Sequence, residues 1–265
     1  MDSTKPDLVL SRIENQVGYI SLNRPEAYNA FNLDLANQFL RVLEEFDGDD
    51  NVRVIVLKGE GKVFSAGGDI REMLGYVQDG TDRAAYFRAP LAAFGKMVMA
   101  LRRSPKPTIA AVHGAVAGFA FNLVLGCDMI LAEEKTRFSQ AFIRVGLSPD
   151  GGGTWFLPRL VGYARACELA MLPTEIDAAK ALDWGLINWT VPEDSFEEKL
   201  GEITAALVNS PKEAIRRTKS LLNSSYDHSL EEHIEIERLA QVENAAHDDF
   251  EEGLTAFVEK RKPDF

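Results

Sequence analysis

The chain has 265 residues, of which 46 % are hydrophobic and 26 % are charged, and its formal net charge at pH 7 is −12. The apolar fraction is typical of a soluble globular protein and is sufficient for a hydrophobic core. The acidic balance argues against nucleic acid or an anionic membrane surface as a partner, because both require a basic surface. It is compatible with a phosphorylated small molecule, which needs only a local cluster of Lys or Arg.

The N-terminal residues, the length of the apolar runs and the cysteines bear on the compartment of the protein. The first residues, MDSTKPD, contain no signal-peptide hydrophobic segment, and no apolar run reaches the roughly 18 residues that cross a membrane. Cys127 and Cys167 lie among apolar residues without the spacing of a metal site, so we expect two buried free thiols. These features predict a cytoplasmic protein without a bound metal.

The first half of the chain predicts strands that alternate with helices. Residues 8–22 are typical of a two-stranded hairpin. The apolar spacing over residues 32–46 predicts a helix capped by Asn32 or Asp34. The remaining predictions are strands at 52–57, 108–112, 129–132 and 137–140, helices at 91–101 and from 118 to about 126, and glycine-rich turns at 59–68 and 114–118.

From about residue 153 to residue 257 the chain is predicted to be mostly helical. The clearest helical segments are 174–181, 196–208, 211–222, 230–244 and 250–257. Strands interleaved with helices and then helices alone predict an α/β fold with a helical C-terminal portion. We place the division between residues 1–195, the core, and residues 196–265.

Two turns rich in small residues could present backbone N–H groups to a ligand. In the first, residues 66–69 (AGGD), the glycines allow a ligand to approach the backbone closely. The second, residues 114–120 (GAVAGFA), leads into a helix whose first N–H groups have no intrahelical partner. Either turn alone is also explained by a plain loop-to-helix junction or by tight helix–strand packing.

Similarity to a known family rests on three segments: FSAGGDIREM (64–73), KPTIAAVHGAVAGFAFNLVLGCD (106–128) and GLSPDGGGT (146–154). Together they resemble the crotonase (enoyl-CoA hydratase/isomerase) superfamily, nearest its ring-1,2-epoxyphenylacetyl-CoA isomerase and enoyl-CoA isomerase branch. The resemblance implies a spiral core of repeated ββα units, a C-terminal portion that forms trimers or pairs of trimers, and an acyl-CoA substrate. It implies no cofactor, since coenzyme A enters as part of the substrate.

The resemblance also assigns the chemistry. In the family, one backbone N–H from each turn holds the thioester oxygen as it becomes an enolate, and the matching residues are Gly68 and Phe119. The two catalytic glutamates of the hydratases are replaced by Asn122, which cannot exchange a proton, and Phe142, which can only exclude water. Asp150 lies where some isomerases place their working aspartate, although it could instead cap the helix that begins near residue 151.

Further residues are implied to contact the substrate. The segment around Arg24 resembles the one that lines the coenzyme A nucleotide pocket. Lys260 belongs to a basic cluster that can reach the phosphates in the family, or is a solvated helix end. Asp69 is also expected to cap a helix, and Trp155 could equally serve core packing. The predicted substrate contacts are Arg24, Ala27, Ala66, Asp69, Ile70, Asn122, Phe142, Trp155 and Lys260.

The residues are compatible with three classes of function. One carboxylate suffices to move a proton, so the first hypothesis is an acyl-CoA isomerase in which Asp150 shifts a double bond or rearranges a ring through an enolate. The second is an enoyl-CoA hydratase or a related lyase or hydrolase. A dehalogenase-like member of that class would need a histidine base, and none is well placed. The third is a non-catalytic homologue that binds acyl-CoA or RNA, which the acidic charge and the presence of Asp150 disfavour.

Overall fold

A computed structural model describes residues 7–80 and 82–265, and its backbone forms two sheets surrounded by helices. The strands are β1 (Val9–Glu14), β2 (Val17–Leu22), β3 (Val54–Gly59), β4 (Thr108–Val112), β5 (Ala115–Ala117), β6 (Met129–Glu133), β7 (Arg137–Ser139), β8 (Glu175–Asp177) and β9 (Trp189–Val191). The helices are α1 (Leu33–Gly48), α2 (Ile70–Gln78), α3 (Arg83–Arg103), α4 (Phe119–Leu125), α5 (Gly153–Val161), α6 (Tyr163–Met171), α7 (Ala178–Asp183), α8 (Phe196–Val208), α9 (Lys212–Ser224), α10 (Leu230–Ala245) and α11 (Asp248–Glu259). This alternation confirms the predicted α/β class.

The larger sheet has the strand order β1-β2-β3-β4-β6-β9. Its strands are parallel apart from β1, which pairs antiparallel with β2 and completes the predicted hairpin. Asn15 and Gln16 connect the two strands with φ angles of 50° and 63°. Two residues with positive φ give the turn whose twist matches that of a hairpin.

Both faces of the larger sheet are covered. On β3, Ile55 and Leu57 belong to the main core with residues of α1, α3 and α4, whereas Val54 and Val56 belong to a second core that α8 completes. Consecutive residues of a strand point to opposite faces, so a strand covered on both faces must be apolar throughout. This accounts for the uninterrupted apolar run that predicted the strand.

The smaller sheet positions the loops that follow it. Its strand order is β5-β7-β8, and isolated bridges join Ser65 to Val116 and Phe31 to Gly68. Each of β3, β4 and β6 in the larger sheet is therefore followed by a segment that pairs at or beside the smaller sheet before the next helix. This repetition is the predicted spiral of ββα units, and it places the residues after Ser65 beside those after β5.

Side-chain caps determine where helices α1 and α3 begin. The Asn32 side chain accepts a hydrogen bond from the N–H of Leu35, which confirms the predicted cap of α1. Helix α3 begins at Arg83, well before the predicted residue 91, because Asp82 caps it and Pro90 is accommodated inside it. A proline removes one intrahelical hydrogen bond, and packing of the apolar face of α3 offsets that loss.

Three short strands were not predicted. The helix predicted at 174–181 begins only at Ala178, because Glu175–Asp177 forms β8 against β7. Strand β9 lies within the region predicted to be helical, and β5 lies within the predicted turn 114–118. Strands of three residues are too short to show an alternation of apolar and polar residues, so their pairing partners select the conformation.

The C-terminal helices differ in how they pack. Phe196, Leu200 and Ile203 of α8 fill the second core, so the core extends past residue 195. By contrast, α10 contributes no buried residue, and α11 contributes only Ala256. The role of residues 196–265 in forming trimers stays a prediction. Within the described ranges, no helix is long and apolar enough to cross a membrane.

Both cysteines are unpaired, as predicted. Cys127 is buried, and burial raises the pKa of its thiol to about 12, so the thiol stays protonated. Cys167 is only partly buried, because it lies on the surface helix α6. The prediction that both thiols are buried is therefore wrong for Cys167.

Candidate active site

The two turns rich in small residues lie against each other. The N–H of Ser65 donates to the carbonyl of Ala115 at 3.0 Å, and the N–H of Ala117 donates to the carbonyl of Ser65 at 3.1 Å. A β-carbon at Gly67 would lie 2.7 Å from the Ala117 carbonyl oxygen and 3.5 Å from Cα of Gly118. Gly67 also has a φ of +96°, so this close approach requires glycine.

Gly68 and Phe119, the predicted oxyanion-hole residues, line one cavity of about 400 Å³. Phe119 is the first residue of α4. Neither its N–H nor that of Gly68 donates to an acceptor within residues 7–80 and 82–265. The first N–H groups of a helix carry the positive end of its dipole. The two amides are therefore suited to an anionic oxygen in this cavity.

Asp150 lines the same cavity, in the loop that precedes α5. Its Oδ1 atom is buried without a hydrogen-bond partner, and desolvation raises the pKa of the carboxyl to about 6. Among the described residues that line the cavity, Asp150 is the only carboxylic acid. A carboxyl with this pKa is ionised at neutral pH yet more basic than an exposed aspartate, which suits a group that accepts and returns a proton.

The structure does not support helix capping as an explanation of Asp150. Helix α5 begins at Gly153, its cap residue is Gly152, and no side chain caps it. Asp150 contacts this helix end through its backbone, since its carbonyl accepts from the N–H of Gly153 at 3.0 Å. The carboxyl group is therefore not used by the helix.

Asn122 lies behind the Asp150 loop and does not line the cavity. The residue is fully buried, and its Nδ2 donates to the backbone carbonyl of Asp150 at 2.8 Å. Its Oδ1 accepts from Nε2 of Gln140 at 2.9 Å. Both polar atoms of Asn122 thus make hydrogen bonds within the protein, and its direct contact with substrate stays a prediction. Gln140 was not singled out from the sequence, because nothing in the local pattern around it, just after Ser139 at the end of β7, marks it as functional.

Aromatic rings form much of the cavity wall. The ring of Phe119 is stacked on that of Phe94 at 4.4 Å between centroids and meets that of Phe31 edge-on at 4.9 Å. Ala66, Ile70 and Phe142, three of the predicted substrate contacts, also line the cavity. Apart from Ile70, the α2–α3 side of the wall was not predicted, because nothing in the local sequence shows which faces of these helices turn inward. Its other residues are Met73, Tyr86, Phe87, Pro90, Leu91 and Phe94.

Arg24 and Asp69 form a largely buried ion pair beside the cavity. Nη2 of Arg24 is 3.0 Å from Oδ2 of Asp69, and Nη1 of Arg24 donates to the carbonyl of Ala30 at 2.6 Å. Oδ1 of Asp69 accepts from the N–H of Glu72, which confirms its predicted role as the cap of α2. Arg24, Asp69 and the nearby Ala27 do not line the cavity, and their contact with coenzyme A stays a prediction.

Two predicted substrate contacts lie elsewhere. Trp155 lines a second cavity of about 820 Å³, between α3, α5 and α9, where the Arg159 guanidinium lies 4.1 Å from its ring centroid. Lys260 is exposed at the end of α11. The structure therefore does not bring these two residues to Asp150. His113 is also outside the cavity, and its Nε2 lies 2.9 Å from the carbonyl of Gly61.

The chain belongs to the enoyl-CoA hydratase/isomerase family, whose sequence model matches residues 12–265. This confirms the resemblance to the crotonase superfamily and identifies the chain as a member of a family of enzymes. A cavity that combines two free backbone amides with a carboxyl whose Oδ1 is buried is consistent with that membership.

Individual relatives match along almost their full length. The chain is 35 % identical over 257 residues to a trans-2-decenoyl-[acyl-carrier-protein] isomerase of Streptococcus mutans, covering 97 % of each chain. It is 34 % identical over 260 residues to a 1,2-epoxyphenylacetyl-CoA isomerase of Escherichia coli, covering 98 % of each. Its fold is similar to the crystal structure of an enoyl-CoA hydratase from Polaromonas sp., with a TM-score of 0.90, 31 % identity, and 96 % and 98 % of the two chains covered.

Proposed function

We propose that the protein is an acyl-CoA isomerase that moves a carbon–carbon double bond through a thioester enolate, with Asp150 as the proton carrier. The observation that carries the proposal is the cavity composition: one buried carboxyl and two free backbone amides, with Phe142 in the place of a second acid. The names of two relatives, both isomerases of thioesters, support the same reaction class.

The proposed reaction converts a 3-enoyl-CoA into a 2-enoyl-CoA. The Asp150 carboxylate removes a proton from C2, and the electron pair of that C–H bond moves into the thioester, whose oxygen becomes negatively charged. The N–H groups of Gly68 and Phe119 stabilise this oxygen, and such preorganised donors are each worth about 2.7–4 kcal/mol in other enzymes. The protonated Asp150 then delivers its proton to C4. Substrate and product have the same atoms, so neither water nor a cofactor is consumed.

Hydration is the alternative reaction, and it needs more from the site. One group must activate a water molecule while another delivers a proton to C2. The cavity offers only one carboxyl among its described lining residues, and Phe142 contributes an apolar ring. The cavity composition therefore favours isomerisation over hydration.

The test is turnover of a panel of 3-enoyl-CoA thioesters, followed by the ultraviolet absorbance of the conjugated product and by its mass. Asp150→Asn keeps the shape of the side chain but cannot carry the proton, so turnover should fall by about 10²–10⁴ while acyl-CoA affinity changes by only a few fold. Asp177→Asn is the matched control: it makes the same chemical change at the cap of α7, where Asn caps about as well as Asp. Activity of Asp150→Asn within about tenfold of the parent would refute the proposal. A product heavier by one water would indicate a hydratase.

A further inference from the structure

The loop that carries Asp150 has open space on both of its sides. Residues 147–150 line the cavity of about 400 Å³ that also contains Gly68 and Phe119. Gly151 and Gly152, the next two residues, line the second cavity of about 820 Å³. The position of the loop between the two cavities therefore depends on its contacts with helix α4.

One of those contacts is the side-chain amide of Asn122. Its Nδ2 donates to the backbone carbonyl of Asp150, and its Oδ1 accepts from Nε2 of Gln140. A carbonyl oxygen can only accept, so the NH₂ end of Asn122 must face Asp150, and its oxygen must then be satisfied by a donor. Gln140 is that donor, and both amides are almost completely buried. The two hydrogen bonds thus fix the orientation of the Asn122 side chain.

Helix α4 also contacts the glycines that follow Asp150. A β-carbon at Gly153 would lie 2.3 Å from Oδ1 of Asn122, and one at Gly151 would lie 2.9 Å from the ring of Phe119. Phe119 and Asn122 are one turn apart on α4, so they lie on the same side of that helix. Phe119 also lines the cavity and is one of the two predicted oxyanion-hole residues. Helix α4 therefore connects the predicted oxyanion site to the loop of the proton carrier.

We infer that Asn122, oriented by Gln140, is a positioning residue that holds the Asp150 carboxyl at the reacting carbon of the substrate. The inference rests on the proposed function, because it assumes that Asp150 carries the proton. Where hydratases of the family have a catalytic glutamate, this chain uses an amide to place a different acid. Proton transfer depends steeply on distance, and a misplacement of about 1 Å can lower a rate about 10²-fold.

The experiment compares Asn122→Leu, which keeps a similar volume but donates no hydrogen bond, with Gln140→Met, which removes the donor behind Asn122. The reaction of a 3-enoyl-CoA is run in D₂O, and deuterium in the recovered substrate is compared with the amount of 2-enoyl-CoA formed. Once the Asp150 proton has exchanged with D₂O, this ratio reports whether Asp150 returns its deuteron to C2 or delivers it to C4, and the ratio does not depend on the fraction of active enzyme. We expect kcat to fall about 10- to 100-fold in Asn122→Leu, KM to stay within about threefold, and the ratio to change. Gln140→Met should change kcat and the ratio in the same directions as Asn122→Leu, but by smaller amounts.

Leu43→Ala is the control for a general loss of stability, since Leu43 is a core residue of α1 outside both cavities. It should lower the melting temperature and leave the ratio at the parent value. If Asn122→Leu does not fold, Gln140→Met decides alone, because it leaves Asn122 and the loop in place.

A ratio and a kcat within about twofold of the parent in the folded variants would overturn the inference. If the Asn122 and Gln140 variants behave like the parent while Asp150→Asn is inactive in the same assay, only the positioning role of Asn122 is rejected. If Asp150→Asn is active, the proposed function itself fails.

Discussion

The ring of Phe119 occupies the space beside Gly151. A β-carbon at Gly151 would lie 2.9 Å from both Cδ2 and Cε2 of that ring, which is closer than real side chains approach. The ring cannot move freely, because it is stacked on Phe94. The residue that follows the proposed proton carrier is therefore in contact with Phe119, one of the two predicted oxyanion-hole residues.

We expect Gly151→Ala to lower both stability and turnover. Gly151 has a φ of +54°, so an alanine would be strained, and its β-carbon would push the loop away from Phe119. Gly185→Ala is a matched control, since Gly185 has a φ of +74° but open space around its Cα. Urea unfolding should show a cost of about 1–2 kcal/mol for Gly185→Ala and a larger cost for Gly151→Ala. Equal costs and unchanged turnover would show that the Phe119–Gly151 contact has no effect on the loop.

Much of the site could be predicted from the sequence, because it depends on backbone and on one conspicuous residue. Glycines 67 and 68 and the strand–turn–helix that ends at Phe119 are visible as small-residue turns, and Asp150 is the one acid in a glycine-rich loop. The larger sheet was predictable for a similar reason: strands covered on both faces, such as β3, are apolar throughout.

The side-chain directions could not be predicted. Matching Asn122 to a glutamate position shows which residue replaces the acid, but not that its amide bonds to the backbone of Asp150. Trp155 is as apolar as a cavity residue should be, yet it lies on the other side of the Asp150 loop. Such differences depend on long-range packing, which a local pattern does not contain.

The backbone amide of Gly68 can be tested separately from its side-chain space. Gly68→Pro removes the N–H and should lower turnover by the roughly 10²–10³ typical of a lost oxyanion donor. Gly68→Ala keeps the N–H, and its β-carbon would meet only the flexible end of Met73, 2.7 Å away. It should therefore cost less than about tenfold. Equal losses in two folded variants would argue that space, not the amide, is what matters at this position.

We expect the protein to assemble into trimers or pairs of trimers. Large apolar side chains are exposed on α10 and α11, among them Leu230 at 71 %, Phe257 at 83 % and Val258 at 73 % exposed. Exposed apolar surface on helices that contribute little to the core marks a surface for association. Light scattering at micromolar concentration should give a multiple of the 29.3 kDa chain mass. A stable monomer would contradict this prediction and leave the roles of these residues open.

The rate should depend on pH through Asp150. The carboxyl must be ionised to accept a proton, and its pKa in the free protein is raised to about 6 by burial. We therefore expect kcat/KM to fall as pH decreases through about 6 and to be level above about pH 7. Bound substrate excludes more water and raises the pKa further, so the midpoint for kcat should lie higher than that for kcat/KM. A kcat/KM midpoint near 4 would show that Asp150 is more hydrated than the structure indicates, or that another group is the base.

The stability of the protein should depend on the same carboxyl. Its pKa is about 6 in the folded protein and 3.8 in the reference state, so the folded state binds the proton more tightly than the unfolded state does. This contribution to stability is fully present below about pH 4 and is lost as pH rises through about 6, which amounts to at most about 3 kcal/mol. The side chain of Asp150→Asn cannot ionise, so this variant should not lose stability in this way as pH rises.

The variant should therefore be more stable than the parent at about pH 8, and the difference should shrink toward zero at about pH 4. Urea unfolding of both proteins between about pH 4 and pH 8 measures this difference in the free energy of unfolding. A difference that does not change with pH would mean that the cavity does not desolvate Asp150. In that case burial would not make this carboxyl a stronger base than an exposed aspartate.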